Sequence, residues 1–338
     1  MDRTAYNTAF ALAAAAAILA SAQAGAADLA GIDAIACGTD AAPASRLGKP
    51  TGGLHALGDP AAIAAGLDRD FPAMVKLKMV YQHDGYAEIE HCGGTVIDSR
   101  HVVTAAHCVK AKAGTEWDRI ELIAGDYSLE SKGVIRRTAR QAVCHAGADD
   151  YLSNDIAVVK LDQPLPREIV PARIDDFRRP TVRPGGIALA AGWPVTGAKA
   201  GQTTLQKVPL SVTDVEWPGF ITVTSPTGRI EGVCQGESGG PLLSRSGGVT
   251  SIAGVLSGIE PGTNDHTGEP CMKAGYDMYY TPIAAYRDWI GDVVEMCSHH
   301  PDACRGREEG GSFFLSSAIP SQETVRRLAS TTRTRVAD

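Results

Sequence analysis

Short apolar segments separated by turn residues run through the middle of the chain. They predict strands over residues 74–80, 94–97, 101–105, 120–124 and 156–161 and, after an interval, over residues 187–192, 205–212, 241–243 and 252–256. The interval, residues 166–186, is rich in proline and glycine and is interpreted as a linker. Strands do not alternate with long helical segments. The pattern therefore predicts an all-β protein with two β units, each a barrel or a sandwich.

The C-terminal part of the chain changes character twice. Residues 284–294 carry apolar side chains three and four positions apart, which predicts a short helix with one apolar face. Residues 297–338 are polar and rich in glycine, serine and arginine, and are predicted to form a polar tail.

The N-terminal part is predicted to direct export. Residues 9–20 form an apolar run of about a dozen residues, too short to cross ~30 Å of hydrocarbon, and Ala22-Gln23-Ala24 follows as a small-x-small cleavage site. Residues 1–24 are thus predicted to be a signal peptide, with a buried alanine-rich helix as the alternative. Residues 25–70, rich in alanine, glycine and proline, are interpreted as a pro-segment or N-terminal arm.

Cysteine content and charge narrow the compartment and the partners. Eight cysteines, an even number, agree with an oxidising compartment, so we expect a secreted or periplasmic protein with no membrane span after signal cleavage. Thirty-two Lys and Arg against 39 Asp and Glu give a net charge of −7. Nucleic acid is therefore disfavoured as a partner, because phosphate binding needs clustered cations.

One serine lies in a glycine-rich turn, Gly236-Glu237-Ser238-Gly239-Gly240-Pro241. The glycines allow a tight turn that points successive N–H groups at one spot, as an oxyanion hole requires. A serine hydroxyl becomes a nucleophile only when a base lies within hydrogen-bond reach and a third group fixes the tautomer of that base. The candidates are His107, at the end of an apolar strand in Val102-Val103-Thr104-Ala105-Ala106-His107-Cys108, and Asp155, just before a buried strand in Asn154-Asp155-Ile156-Ala157-Val158-Val159.

These segments, in the chain order His, Asp, Ser, resemble those of the chymotrypsin-like (trypsin-fold) serine peptidases. The strand Cys92-Gly93-Gly94-Thr95-Val96-Ile97, the Gly192-Trp193 corner and residues 280–290, similar to the family's terminal helix, extend the resemblance over residues 71–290. It implies two six-stranded antiparallel β-barrels with a short C-terminal helix. Residues 71–165 would form the first barrel, with His107 and Asp155, and residues 187–296 the second, with Ser238 and the helix.

The resemblance also implies roles and partners. Ser238 would be the nucleophile, His107 the general base and then acid, and Asp155 the orienting carboxylate. The N–H groups of Gly236 and Ser238 would form the oxyanion hole, and the Ser257 hydroxyl would brace Asp155. The implied protein is a monomeric, secreted serine endopeptidase made as a zymogen, acting on proteins or peptides, open to protein inhibitors, and needing no cofactor or metal. A catalytically silent binding protein on the same fold is the alternative.

The cysteines divide into two groups. The resemblance implies the disulfides Cys92–Cys108 and Cys234–Cys271. Three pairings stay open for the remaining four, Cys37, Cys144, Cys297 and Cys304. A zinc cluster of Cys297, Cys304, His299 and His300 is an alternative, but export favours a local disulfide.

The sequence departs from the family at the activation site. The family has aspartate before the nucleophile, where it pairs with a new N-terminus made by proteolysis, whereas this chain has Glu237. No Ile-Val-Gly-Gly segment preceded by Arg or Lys lies upstream of residue 71, and none of the apolar alternatives Leu54, Ile63 and Leu67 follows a basic residue.

The expected specificity pocket is uncharged. Gly232 and Val233 precede the serine by six and five residues, and Ser257-Gly258-Ile259 stands where the family has Ser-Trp-Gly. Ile259 would intrude into the pocket and Met278 would narrow it, so we expect small or medium apolar residues before the scissile bond (P1). Asp277 keeps basic P1 residues as the alternative, because a shifted alignment would put its carboxylate in the pocket.

Overall fold

The computed structural model describes residues 35–36, 73–83, 85–110, 117–125, 128–145, 147–148, 153–193, 203–217, 219–225, 233, 236–246, 249–259 and 276–299. The predicted signal peptide, nearly all of the N-terminal arm and the tail from residue 300 lie outside these residues, as do Gly232, Cys234 and Cys271. In the part that is described, no helix combines the length and the apolar character needed to cross a membrane.

The first barrel is a closed antiparallel sheet. Its six strands are β2 (Met74–His83), β3 (Tyr86–Val96), β4 (His101–Thr104), β5 (Trp117–Ala124), β6 (Ile135–Cys144) and β7 (Ala157–Leu161). They pair in the order β6-β5-β2-β3-β4-β7, and pairing of β6 with β7 closes the barrel. A two-residue strand, β1 (Ile35–Ala36), is added to the end of β6, with Ile35 opposite Cys144.

The second barrel repeats this architecture. Its strands are β9 (Ile187–Gly192), β10 (Gln206–Val215), β11 (Ile221–Thr224), β12 (Pro241–Ser246), β13 (Val249–Ile259) and β14 (Asp277–Pro282). They pair in the order β12-β9-β10-β11-β14-β13, closed by β12 with β13, and β8 (Arg173–Ile174) runs parallel to β13. The predicted all-β fold of two six-stranded antiparallel barrels is confirmed.

Strand β2 contributes to both barrels because its side chains alternate between its two faces. Val75, Leu77 and Met79 belong to the core of the first barrel. Met74, on the opposite face, belongs to a separate apolar cluster that we call the seam cluster, whose other buried members come from the second half of the chain: Leu189, Ala191, Trp193, Leu205 and Leu243. The same face carries Lys76, which is buried. This face of β2 therefore packs between the barrels.

The C-terminal helix, α2 (Arg287–His299), follows a 3-10 turn at Ile283–Tyr286. Residues 280–282 lie in β14, so the expectation that the terminal helical segment starts at residue 280 is wrong. The reason is that Tyr280 pairs with Ile221 and is buried in the second barrel. The helix also runs past residue 294, because Met296 and Cys297 are buried against the first barrel.

Candidate active site

His107 lies at the junction of β4 and a one-turn helix, α1 (Ala106–Val109). All four residues of β4 are buried, which fixes the chain direction at the point where the helix begins. Cys108, the residue after the histidine, forms a disulfide with Cys92 on β3, as the resemblance implied. The backbone that carries the imidazole is therefore held on both sides.

Asp155 lies just before β7 and is fully buried. Its Oδ1 accepts a hydrogen bond from the His107 backbone N–H at 2.9 Å, and its Oδ2 lies 2.7 Å from His107 Nδ1. The Ser257 hydroxyl also donates to Oδ2, at 2.6 Å. Asn154 has a positive φ of 54°, and its side chain accepts from Tyr286 Oη and donates to the Gly147 carbonyl, so the turn before the carboxylate is fixed as well.

These contacts set the charge of the pair. Burial by itself would raise the pKa of Asp155, but the nearby His107 charge and the hydrogen bonds from His107 and Ser257 hold that pKa below its usual value. Asp155 is therefore a carboxylate at neutral pH. Because Nδ1 faces this acceptor, the neutral imidazole carries its proton on Nδ1, which leaves Nε2 able to accept a proton.

The serine loop, residues 236–240, is anchored to both barrels. Gly93 N–H on β3 donates to the Ser238 carbonyl at 2.7 Å, and Gly239 N–H donates to the Leu256 carbonyl on β13 at 2.8 Å. Gly236 and Gly239 have φ values of +86° and +77°, which L side chains rarely adopt. A methyl group on Gly239 would also collide with Thr104 Oγ1. Only glycine fits at this point.

Strand β13 connects the serine loop to the histidine–carboxylate pair. Leu256 bonds the loop through its carbonyl and, through its N–H, the carbonyl of Gly240, while the next residue, Ser257, bonds Asp155. Within the described part of the chain, no hydrogen bond joins Ser238 Oγ to His107 Nε2, a contact that often forms fully only with bound substrate. Among the described residues, neither Gly236 N–H nor Ser238 N–H donates to a backbone carbonyl.

Four of the residues predicted to form or border the specificity pocket, Val233, Ile259, Asp277 and Met278, are among the described residues. Val233 is buried, and its carbonyl accepts from Tyr276 Oη at 2.9 Å. Ile259 on β13 lies opposite Met278 on β14; Met278 is fully buried, and Ile259 packs against the second-barrel core. Asp277 also lies on β14, opposite Thr224.

Disulfide bonds take up the cysteines of one group of possible metal ligands in the structure and one cysteine of the predicted zinc cluster. Cys92, His107 and Cys108 bring three ligand atoms within 4.8 Å of one another, but the two sulfurs form a disulfide and are not thiolates. Cys297 and Cys144 are disulfide-bonded too, which removes Cys297 as a thiolate ligand for zinc.

One charged residue at the site was missed from the sequence. The Lys76 ammonium is buried and donates to the carbonyls of Trp193 and Gly236. The available signal was its place in a strand on the same face as Met74, but an alternating strand usually exposes that face to water.

Two closed barrels with a histidine–carboxylate pair and a glycine-rich serine loop where they meet define the class of two-barrel serine endopeptidases. A family model described as trypsin matches residues 65–290, and the chain belongs to the trypsin family. Trypsin eta of Drosophila melanogaster is 30% identical over 215 residues, covering 59% of this chain and 75% of that protein. Kallikrein-10 of Homo sapiens is 29% identical over 60% of this chain and 74% of that protein. Granzyme M of Rattus norvegicus is 27% identical over 68% of this chain and 87% of that protein.

Proposed function

We propose that this serine endopeptidase hydrolyses peptide bonds through Ser238, His107 and Asp155. The observation that carries the proposal is the shared anchor on β13, where adjacent residues hold the serine loop and the Asp155 carboxylate. That anchor fixes two parts of the chain 83 residues apart, Asp155 and Ser238, in one frame.

The chemistry proceeds in two halves. Ser238 Oγ attacks the scissile carbonyl carbon while its proton passes to His107 Nε2, and Asp155 stabilises the imidazolium. The carbonyl oxygen becomes an oxyanion that accepts from the N–H groups of Gly236 and Ser238. His107 then protonates the leaving amine, and the C–N bond breaks to leave an acyl ester on Ser238. Water attacks the ester with His107 as base, releasing the carboxylic acid and the free serine.

The apolar side chains at the predicted pocket support cleavage after small or medium apolar P1 residues. Ile259 and Met278 face each other across paired strands, and the buried Val233 adds a third apolar side chain. Peptides that differ only at P1 test this: kcat/KM should be highest for alanine or valine and lowest for arginine or phenylalanine. Preference for arginine or lysine would overturn the proposal and favour Asp277 as the pocket charge.

Export to an oxidising compartment is part of the same proposal. Cys92, Cys108, Cys144 and Cys297 are all disulfide-bonded, and such bonds persist outside the cytosol. We expect a monomer that acts on protein or peptide substrates, with residues 1–24 removed. N-terminal sequencing of the exported protein tests both the signal peptide and the fate of residues 25–70.

A fluorophosphonate probe separates the enzyme from a silent binding protein. The purified exported chain should be labelled with one probe per molecule, and Ser238→Ala should abolish the labelling. Ser211→Ala, at a half-exposed position on β10, is the matched control and should label like wild type. Absence of labelling in folded wild-type protein would favour the binding protein.

A further inference from the structure

Lys76 is a buried cation in contact with the serine loop. Only 2% of the residue is exposed, because its face of β2 is covered where the two barrels meet. Its Nζ donates to the Trp193 carbonyl at 2.6 Å and to the Gly236 carbonyl at 3.0 Å. Three segments distant in the chain thus meet at one ammonium group.

A negative charge that acts on Lys76 belongs to Glu237, which is also buried. Its side chain packs on Gly192, where a Cβ would collide with it, so the carboxylate lies beside the strand end that leads to Trp193. Burial lowers the pKa of Lys76 to about 8, while the attraction of Glu237 raises it and the repulsion of Lys78 lowers it. At pH 7 Lys76 therefore carries its charge.

Two neighbouring basic residues, Lys78 and His91, do not provide the buried positive charge that Lys76 provides. Lys78 lies two residues further along β2 and is not buried. His91, on β3, lies opposite Lys78, and burial together with the charges of Lys76 and Lys78 lowers the pKa of His91 to about 4. His91 is therefore neutral near pH 7, whereas Lys76 is charged and interacts electrostatically with Glu237.

The Lys76 ammonium contacts a residue that supplies one of the proposed oxyanion donors. Gly236 has a left-handed φ of +86°, and its N–H is one of the two proposed donors. Holding its carbonyl fixes the peptide that joins it to Glu237, and hence the turn that leads to Ser238. An uncharged side chain at residue 76 would leave the Gly236 carbonyl without this donor and would remove a positive charge that acts on the buried Glu237 carboxylate.

We propose that Lys76 is a positioning residue that holds the serine loop in its active arrangement from within the chain, so that activity does not require a newly cleaved N-terminus. The proposal rests on the proposed function. It accounts for the sequence upstream of residue 71, which lacks a basic residue followed by Ile-Val-Gly-Gly. In this proposal a lysine side chain on β2 supplies the positive charge that the family obtains by proteolysis.

The first experiment uses the wild-type chain and separates the two proposals. The exported protein is labelled with a fluorophosphonate, and the labelled molecules are sequenced from the N-terminus. Labelling of molecules that begin upstream of residue 54 is expected. Labelling only of molecules cut between residues 54 and 72, or no labelling of uncut molecules, overturns the role of Lys76 but keeps the enzyme. Absence of labelling on both cut and uncut molecules overturns the enzyme.

The second experiment changes the charge. Lys76→Met should lower kcat about 10²- to 10³-fold, the loss typical of one oxyanion donor, with KM changed less than threefold. Lys78→Met, on the same strand face but not buried, is the matched control and should stay within twofold of wild type. Full activity or a gain in folded Lys76→Met would overturn the proposal, since a lysine that locks an inactive loop would behave that way.

The pH dependence of wild-type kcat distinguishes a positioning role of Lys76 from a purely structural one. It also tests the proposal if Lys76→Met does not fold. Wild-type kcat should fall above about pH 8, as Lys76 loses its proton. Lys76→Arg keeps its charge to much higher pH, so its residual activity should persist there. Lys78→Met removes a repelling charge and should move the fall slightly upward. A wild-type kcat that stays constant from pH 7 to pH 10 would overturn the proposal.

Discussion

Replacing Asp155 by asparagine tests the proposed triad most directly. The carboxylate accepts three hydrogen bonds, from the His107 backbone N–H, from His107 Nδ1 and from Ser257 Oγ, and it has no exposure to water. Asparagine has nearly the same shape but only one acceptor oxygen. Its NH₂ group must therefore face at least one of these three donors.

Geometry decides which orientation asparagine takes. If its oxygen replaces Oδ1, it still accepts from the His107 backbone, and its NH₂ group then faces His107 Nδ1. The imidazole can bond this NH₂ only with its proton moved to Nε2, and in that tautomer it cannot accept a proton from Ser238. The reverse orientation sets the NH₂ against the buried backbone N–H, which costs about 1–3 kcal/mol.

We expect a large loss of kcat and little change in the stability of the fold. In an established Ser-His-Asp triad this substitution lowers kcat about 10⁴-fold, or roughly 5 kcal/mol of transition-state stabilisation. The assay measures single-turnover acylation by an activated ester, with thermal unfolding in parallel. Ser257→Ala, which removes one of the three donors and keeps the tautomer, should cost roughly tenfold. An Asp155→Asn variant that folds normally and acylates within tenfold of wild type would refute the role of Asp155.

Three further predictions concern the pocket, the serine loop and acid stability. Ile259→Gly should raise kcat/KM for leucine or phenylalanine at P1, relative to alanine, by ~10-fold or more, and an unchanged ratio would show that Ile259 does not limit the pocket. Gly239→Ala should lower the free energy of unfolding by about 3 kcal/mol, because residue 239 has a left-handed backbone and its new methyl group would collide with Thr104 Oγ1. Gly291→Ala, at a helix position with open space, should not destabilise the protein. Equal melting temperatures for the two variants would contradict this account of the packing at Gly239. Burial lowers the pKa of His145 to about 4, so the folded protein binds fewer protons than the unfolded chain between about pH 6.5 and pH 4. Stability should therefore fall as pH drops through that range, and fall further below it as Asp155, whose pKa is lowered, becomes protonated. Melting temperatures from pH 7 to pH 3 check this. His145→Asn should reduce the first phase, and the remainder should come from His91, whose pKa is also lowered to about 4.

The strands that were predictable from the sequence are those whose apolar residues either run together or alternate with polar ones. Strand β6 was missed because arginines at residues 136, 137 and 140 break its alternation, although Ala139 and Val143 point into the first barrel. The four-residue strand β11 was too short to stand out. In β14 the apolar and polar positions are both filled by tyrosines, Tyr279 and Tyr280, so the sequence does not reveal which face is buried.

The residues of the site also differ in how far the sequence reveals them. His107, Asp155 and Ser238 are recognisable because each lies in a distinctive local segment. Lys76 has no such segment, and its burial depends on Trp193 and Gly236, which lie 117 and 160 residues further along the chain. A periodic pattern predicts one face of a strand correctly and says nothing of a second barrel that covers the other.

The C-terminal helix has a consequence for how the molecule can be divided. The family match ends at residue 290, but Val293, Met296 and Cys297 are buried in the core of the first barrel, and Lys160 on β7 donates to the Cys297 carbonyl at 2.6 Å. The last helix therefore closes the half of the molecule that was synthesised first. An N-terminal fragment containing only the first barrel would expose this apolar patch to solvent, and a recombinant version shortened to the family boundary would do the same. The two halves cannot be exchanged between relatives as independent cassettes unless this helix travels with the barrel that it covers.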